Sequence, residues 1–266
     1  MKNADYLIEY LLNENKRYKL TKNPTTDTEK FNIYRSLCNT RSAQPISKEF
    51  LQKEKEYLKE IRNKKDITDT TEVKTLNESY PDNNIKHGDK ICLWKGDITC
   101  LKVEAIVNAA NSQGLGCFIP GHNCIDNQIH TYAGVPLRLE CDKHMKSIDY
   151  NLPTGEAFIT KAYNLPSEHV IHTVGPIIQN TVQDPDKELL KNCYTNCLKI
   201  AEKNNIRSIA FCSISTGVFR FPKDLASQIA IKTVNEYLDE KSDKYDKIIF
   251  NVYSREALEI YERNTR

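Results

Sequence analysis

The sequence predicts an α/β protein: a three-layer α/β/α domain with a mixed sheet, set behind an N-terminal helical extension. Three observations predict it. All nine glycines of the 266-residue chain lie from Gly88 onward. Before that point, apolar residues recur at helical spacing. After it, short strand-like runs alternate with longer helix-like ones, which implies crossover connections and a parallel or mixed sheet covered by helices.

The extension reads as three helices. Ala4, Leu7, Ile8, Leu11 and Leu12 fall at i, i+3, i+4, i+7 and i+8, one stripe of a first helix. Thr26 with Glu29 three residues on is a capping-box pattern, followed at helical spacing by Phe31, Tyr34 and Cys38. Ser47 suits the N-cap of a third helix, whose stripe is Phe50, Leu51, Tyr57, Leu58 and Ile61. The next stretch loses periodicity and gathers Asp, Thr and Asn, as a linker or irregular crossover does. The expected divisions are therefore an extension over 1–64, a linker over 65–87 and the α/β domain over 88–266. Within that domain, strands are predicted at 90–94, 104–107, 156–160, 169–174, 207–213 and 247–252. Helices are predicted at 125–132, 135–146, 186–203, 222–238 and 255–263.

Composition excludes several classes of function. Lys and Arg total 38 against 36 Asp and Glu, a net charge of +2, which argues against a dedicated polybasic nucleic-acid binder. With 39% hydrophobic and 28% charged residues the chain has enough apolar content for a core. No apolar run reaches the roughly 18 residues of a membrane span, and the first residues carry no apolar segment with a small-residue cleavage site. A cytoplasmic protein without membrane or nucleic-acid partners is expected. Nine cysteines in such a setting read as free thiols or metal ligands rather than a disulfide framework.

In a sheet of this kind ligands bind where loops leave the carboxyl ends of strands. Gly96-Asp97-Ile98-Thr99 follows the first strand of the domain; an Asp there can accept from an exocyclic amine, or simply close a turn. Asn108-Ala109-Ala110-Asn111 follows the second, and Asn side chains suit sugar hydroxyls or an Asx turn. Next, Cys117, His122 and Cys124 form C-x4-H-x-C. Thiolates and imidazole are zinc ligands, and three of them leave a fourth position open, as in catalytic sites; the alternative is two buried thiols and a surface histidine. Cys141 and His144 are the nearest further donors, in a predicted helix. Ile125-Asp126-Asn127 then opens a helix whose N-terminal amides suit a phosphate, with His130 facing inward. Ser215-Thr216-Gly217-Val218-Phe219 follows the fifth strand as a small polar loop able to wrap a diphosphate, and Phe219 can stack on a sugar or base or pack in the core. Neither a P-loop nor a dinucleotide fingerprint is present.

Taken in order, Gly-Asp-Ile-Thr, Asn-Ala-Ala-Asn, Ile-Asp-Asn-x-Ile-His, His172-Thr173-Val174-Gly175-Pro176 and Ser-Thr-Gly-x-Phe resemble the motif series of a macrodomain, over about residues 88–264. The Cys117/His122/Cys124 segment and the helical extension resemble the zinc-containing branch of bacterial protein-ADP-ribose hydrolases. The resemblance implies Zn2+ held by Cys117, His122 and Cys124. It implies Asp97 at the adenine amino group, with Ile98 beside the ring. Asn111 would contact the distal ribose, and the amides of Cys124, Ile125, Asp126 and Asn127 would face the ribose and diphosphate. Ser215, Thr216, Gly217, Val218 and Phe219 would form the second phosphate loop, and Tyr253 would lie on the adenine side. Asn111 and Asp126 become the catalytic candidates, one positioning the ribose and the other orienting water or accepting a proton. Arg220 stands where many macrodomains have Gly. The implied activity is removal of ADP-ribose from mono-ADP-ribosylated proteins, against a non-catalytic reader of ADP-ribose or a purely structural zinc protein. The implied partners are an ADP-ribosylated lipoyl carrier protein and a sirtuin-type ADP-ribosyltransferase.

Overall fold

A computed structural model describes residues 2–20 and 22–266. The extension holds α1 (Ala4–Glu14), α2 (Asp27–Thr40) and α3 (Lys48–Arg62). The expected caps form: Glu29 N–H donates to Thr26 Oγ1 while Thr26 N–H donates to the Glu29 carboxylate, and Phe50 N–H donates to Ser47 Oγ. Their apolar stripes close a small core of their own that takes in Val135 from the body of the protein.

Residues 65–87 are laid along the body. They contain β1 (Thr68–Asp69) and α4 (Leu76–Ser79), and Val73 and Leu76 join the main core. The body then runs β2 (Ile91–Lys95), β3 (Leu101–Lys102), β4 (Ala105–Ala109), α5 (Ile125–Ala133), α6 (Val135–Lys146), β5 (Ala157–Lys161), β6 (His169–Thr173), α7 (Asp184–Lys203), β7 (Ser208–Phe211), α8 (Lys223–Lys241), β8 (Lys247–Val252) and α9 (Arg255–Thr265). Six strands form one sheet in the order β2-β8-β7-β4-β6-β5, parallel except for the antiparallel edge strand β5. β1 and β3 pair separately. Helices α7, α8 and α9 pack against one another, as do α5 and α6, giving the two helical layers of an α/β/α sandwich.

The expected mixed sheet, its crossover helices and the N-terminal helices are all present. One boundary shift matters for the site. β4 runs on through Asn108 and Ala109, because their backbones pair with His172 and Thr173 of β6. Asn108 is thus a buried strand residue and not part of the loop. No helix among the described residues is long and apolar enough to cross a membrane.

The extension is joined to the body through a buried carboxylate. Glu54 of α3 is fully buried and accepts from Tyr34 Oη (2.7 Å) and from the Val135 N–H that opens α6 (3.1 and 3.2 Å). Burial pushes its carboxyl up to about 7, against those hydrogen bonds and the Arg41 charge. A folded-state pKa raised from 4.5 means that the contribution of Glu54 is complete below 4.5 and is lost as pH rises to about 7. Glu54→Gln removes that titration. The stability of the variant relative to wild type should therefore rise by on the order of 3 kcal/mol from pH 4.5 to 7 and then stay level, read by urea unfolding across that range. A difference that does not change with pH would contradict the assignment.

Candidate active site

Strand order sets the site. The carboxyl ends of β2, β8, β7 and β4 lie side by side in parallel. Asp97, Tyr253, the 213–219 loop and Asn111 leave those four ends, so residues far apart in sequence become neighbours along one edge.

At the β4 exit the chemistry is densest. Asp126, the second residue of α5, is 4% exposed. Its carboxylate accepts from Asn108 Nδ2 (2.8 Å) and Asn111 Nδ2 (3.4 Å). Burial pushes it up to about 6, while the Asn108 hydrogen bond and the Arg138 charge act the other way. Asn108 also meets its register partner His172, Nδ2 to Nδ1 at 3.1 Å. The tautomer protonated at Nε2 then donates to Thr160 Oγ1 at 3.0 Å. Burial lowers the His172 pKa to about 3, so the ring stays neutral. Asn111 is half-buried; its amide also donates to Gly116 O, and its Oδ1 accepts from Gln113 N–H. Gly116 has a φ of +85°, and a Cβ there would lie 2.8 Å from the His130 ring, so only glycine lets the loop cross that ring. His130 is buried, as the sequence suggested.

Cys117, His122 and Cys124 converge, with their donor atoms within 4.8 Å of one another. Cys117 Sγ lies 3.5 Å from His122 Nδ1. A tetrahedral zinc with one sulfur and one nitrogen ligand places those atoms about 3.5 Å apart, so the donor set and its spacing fit that metal. Cys124 is also the N-cap of α5 and accepts from Asn127 N–H, which ties the trio to the helix that carries Asp126. Cys141 and His144 do not approach it. Cys141 faces His172 and His130 in a buried cluster, and His144 stacks on Phe158.

At the β2 exit, Asp97 caps a turn through the Thr99 N–H and hydroxyl and pairs with Lys65 at 2.9 Å. Burial would raise its pKa, but the Thr99 hydrogen bonds and the Lys65 ammonium outweigh this and hold the carboxyl below its usual range. Lys65 also lies 3.6 Å from the centre of the Tyr132 ring. Sequence patterns held no sign of this lysine, which comes from the aperiodic stretch after α3. Ile98 is 2% exposed in the main core, so what it leaves for a ligand is main chain. Tyr253 is 82% exposed. It borders a cavity of about 230 Å3 together with Thr216, Gly217, Lys223 and Ser254. Val218 is exposed and Phe219 half-buried. Arg220 adopts a φ of +59°, a conformation glycine takes freely.

The macro domain family matches residues 107–230. A protein-ADP-ribose hydrolase of Treponema medium is 47% identical over 258 residues, 97% of this chain and 96% of its own length. The chain belongs to the macrodomain family. A protein-ADP-ribose hydrolase of Staphylococcus aureus (strain MRSA252) is 42% identical to this macrodomain over 260 residues, 96% of this chain and 93% of its own. The crystal structure of the Trypanosoma brucei macrodomain in complex with ADP is 28% identical with a TM-score of 0.65, covering 89% of this chain and 96% of that one. Matches of this length to the two hydrolases reach into residues 1–64 of this chain.

One packing constraint on the 213–219 loop is testable. Ser215 sits at φ +63°, its hydroxyl buried directly against Gly175 and without a hydrogen-bond partner among the described residues. A Cβ on residue 175 would collide with Ser215 Oγ and lie 2.8 Å from Ile214 Cγ2. Gly175→Ala should cost about 1–3 kcal/mol in chemical denaturation. Adding Ser215→Gly should recover part of that loss, because it removes the obstructing hydroxyl and suits the left-handed backbone. A Gly175→Ala protein as stable as wild type would contradict the contact.

Proposed function

We propose that this macrodomain is a zinc-dependent hydrolase that removes ADP-ribose from mono-ADP-ribosylated proteins. The observation that carries the reading is the convergence of Cys117, His122 and Cys124 at the N-terminus of the helix that holds buried Asp126. The names of the nearly full-length relatives support it.

In this reading Asp97 accepts from the adenine amino group, its carboxylate kept ionised and aimed by Lys65 and Thr99. Ile98 offers its main chain beside the ring, and Tyr253 covers the adenine side. The diphosphate lies between the amides of Cys124, Ile125 and Asp126, at the positive end of the α5 dipole, and the loop from Ser215 through Thr216, Gly217 and Val218 to Phe219; the Asn127 amide, also expected there, donates to Cys124 Sγ instead. The Ser215 hydroxyl of that loop is buried and has no hydrogen-bond partner among the described residues. Asn111 positions the distal ribose. Cys117, His122 and Cys124 would hold zinc, which would supply Lewis acidity to the reaction. Asp126, with its carboxyl near 6 and mostly ionised at neutral pH, orients the attacking water and accepts its proton. The water oxygen bonds either to the anomeric carbon, so that the bond from that carbon to the side-chain atom breaks and the proton passes to the side chain, or to the acyl carbon of an ester linkage, so that the bond from that carbon to the ribose oxygen breaks and the proton passes to that oxygen. The substrate class we favour is a lipoyl carrier protein modified by a sirtuin-type ADP-ribosyltransferase, with hydrolysis in the cytoplasm.

The purified protein should contain about one zinc per chain by elemental analysis, as three ligands in one loop imply. Chelation or Cys124→Ala should lower ADP-ribose release from a mono-ADP-ribosylated protein by orders of magnitude, since metal assistance amounts to several kcal/mol of barrier. Circular dichroism should stay folded, and ADP-ribose binding should persist. Undiminished release by metal-free protein would exclude catalytic zinc. A zinc-loaded wild type that binds ADP-ribose without releasing it from acidic, serine or arginine side chains would make the protein a reader. Separately, Asp97→Ala should weaken ADP-ribose binding by about 1–3 kcal/mol in calorimetry; unchanged affinity would remove Asp97 from the adenine site.

A further inference from the structure

The three metal donors are not held equally. Cys124 is fixed as the N-cap of α5, and Cys117 follows Gly116, whose carbonyl is bonded by Asn111. His122 lies in the middle of an irregular loop, where its own N–H donates to Ile119 O. Further bonds to this stretch of main chain come from the extension. Arg35 of α2 donates from Nη2 to His122 O at 2.6 Å, and from Nε and Nη2 to Asn127 Oδ1 at 3.2 and 3.0 Å. One turn further along α2, Asn39 Oδ1 accepts from Gly121 N–H at 3.0 Å, while its amide donates to Thr131 Oγ1 of α5 at 3.3 Å. Asn127, oriented by Arg35, donates in turn to Ile119 O at 3.0 Å. Residues about 90 positions away in sequence thus bind both the residue before the histidine and the histidine itself.

We propose that Arg35 and Asn39 are positioning residues for the metal loop, so that α2 belongs to the active site and is more than a cover for α5. The inference rests on the zinc reading above. Its physical basis is the fork of the guanidinium: one planar group serves His122 O and Asn127 Oδ1 at once, which a point charge on a flexible stem cannot reproduce. Groups that orient metal ligands from outside the coordination shell typically change metal affinity by 10–100-fold when removed.

The test uses the full chain and cobalt(II) or zinc alone as probe. Affinity is measured by chelator competition, the cobalt absorption spectrum reports the ligand field, and thermal unfolding of the metal-free protein reports the fold. Arg35→Ala and Asn39→Ala should each weaken metal binding by 10–100-fold and alter the cobalt spectrum. Arg35→Lys should fail to restore either. Should Arg35→Ala not fold, Arg35→Lys and Asn39→Ala decide the matter by the same readouts. Wild-type affinity and an unchanged spectrum in folded variants would overturn the positioning role while leaving the zinc site intact. A wild type that binds neither metal at Cys117, His122 and Cys124 would instead overturn the zinc reading on which it rests.

Discussion

A buried carboxylate must find partners, and the site is arranged around one that does. Asp126 enters the interior at the start of α5 and is met by Asn108 from β4 and Asn111 from the loop beyond it. Removing the Asn108 amide leaves this almost fully buried carboxylate one hydrogen bond short, a loss on the order of 1–3 kcal/mol. The same two hydrogen bonds join β4 and the loop beyond it to the start of α5. Cys124 caps that helix and lies beside Cys117 and His122.

Around this centre the extension and the stretch that follows it each touch the site. Arg35 and Asn39 reach the metal loop, and Lys65 pairs with Asp97 at the far end of the strand row. Between them Glu54, bound to Tyr34 and to the first amide of α6, ties the helices to the body. An extension attached only by apolar packing could shift without consequence for chemistry. One attached through directional bonds to the loop that carries His122 and to the start of α6 cannot.

Much of this was legible in sequence, for identifiable reasons. Helical stripes, the Thr26–Glu29 box and the alternation after Gly88 are local patterns, and each element they predict is present. Four of the motifs lie at or run into the ends of β2, β4, β6 and β7, and the fifth opens α5, because a parallel sheet gathers its carboxyl ends on one edge. What was not legible depends on contacts between distant residues. Asn108 reads as a loop residue until its register with His172 is known. Ile98 reads as a wall for a ring and turns out to be core. Lys65 and Arg35 lie in segments whose local pattern says nothing about the residues they meet, and the aperiodic stretch 65–87 hides two apolar anchors, Val73 and Leu76. The clustering of Cys141 with His130 and His172 likewise follows from the packing of α6 on the sheet.

The central claim is that metal chemistry and nucleotide recognition meet at the N-terminus of α5. Anomalous diffraction at the zinc absorption edge, on crystals grown with ADP-ribose, tests it most directly. The account requires one metal peak bounded by Cys117 Sγ, His122 Nδ1 and Cys124 Sγ, with sulfur ligands at about 2.3 Å and nitrogen at about 2.0–2.1 Å. It also requires the distal ribose to face that peak and the adenine to reach Asp97. A peak at the buried His130, Cys141 and His172 cluster, or a nucleotide whose ribose lies away from the metal, would contradict it.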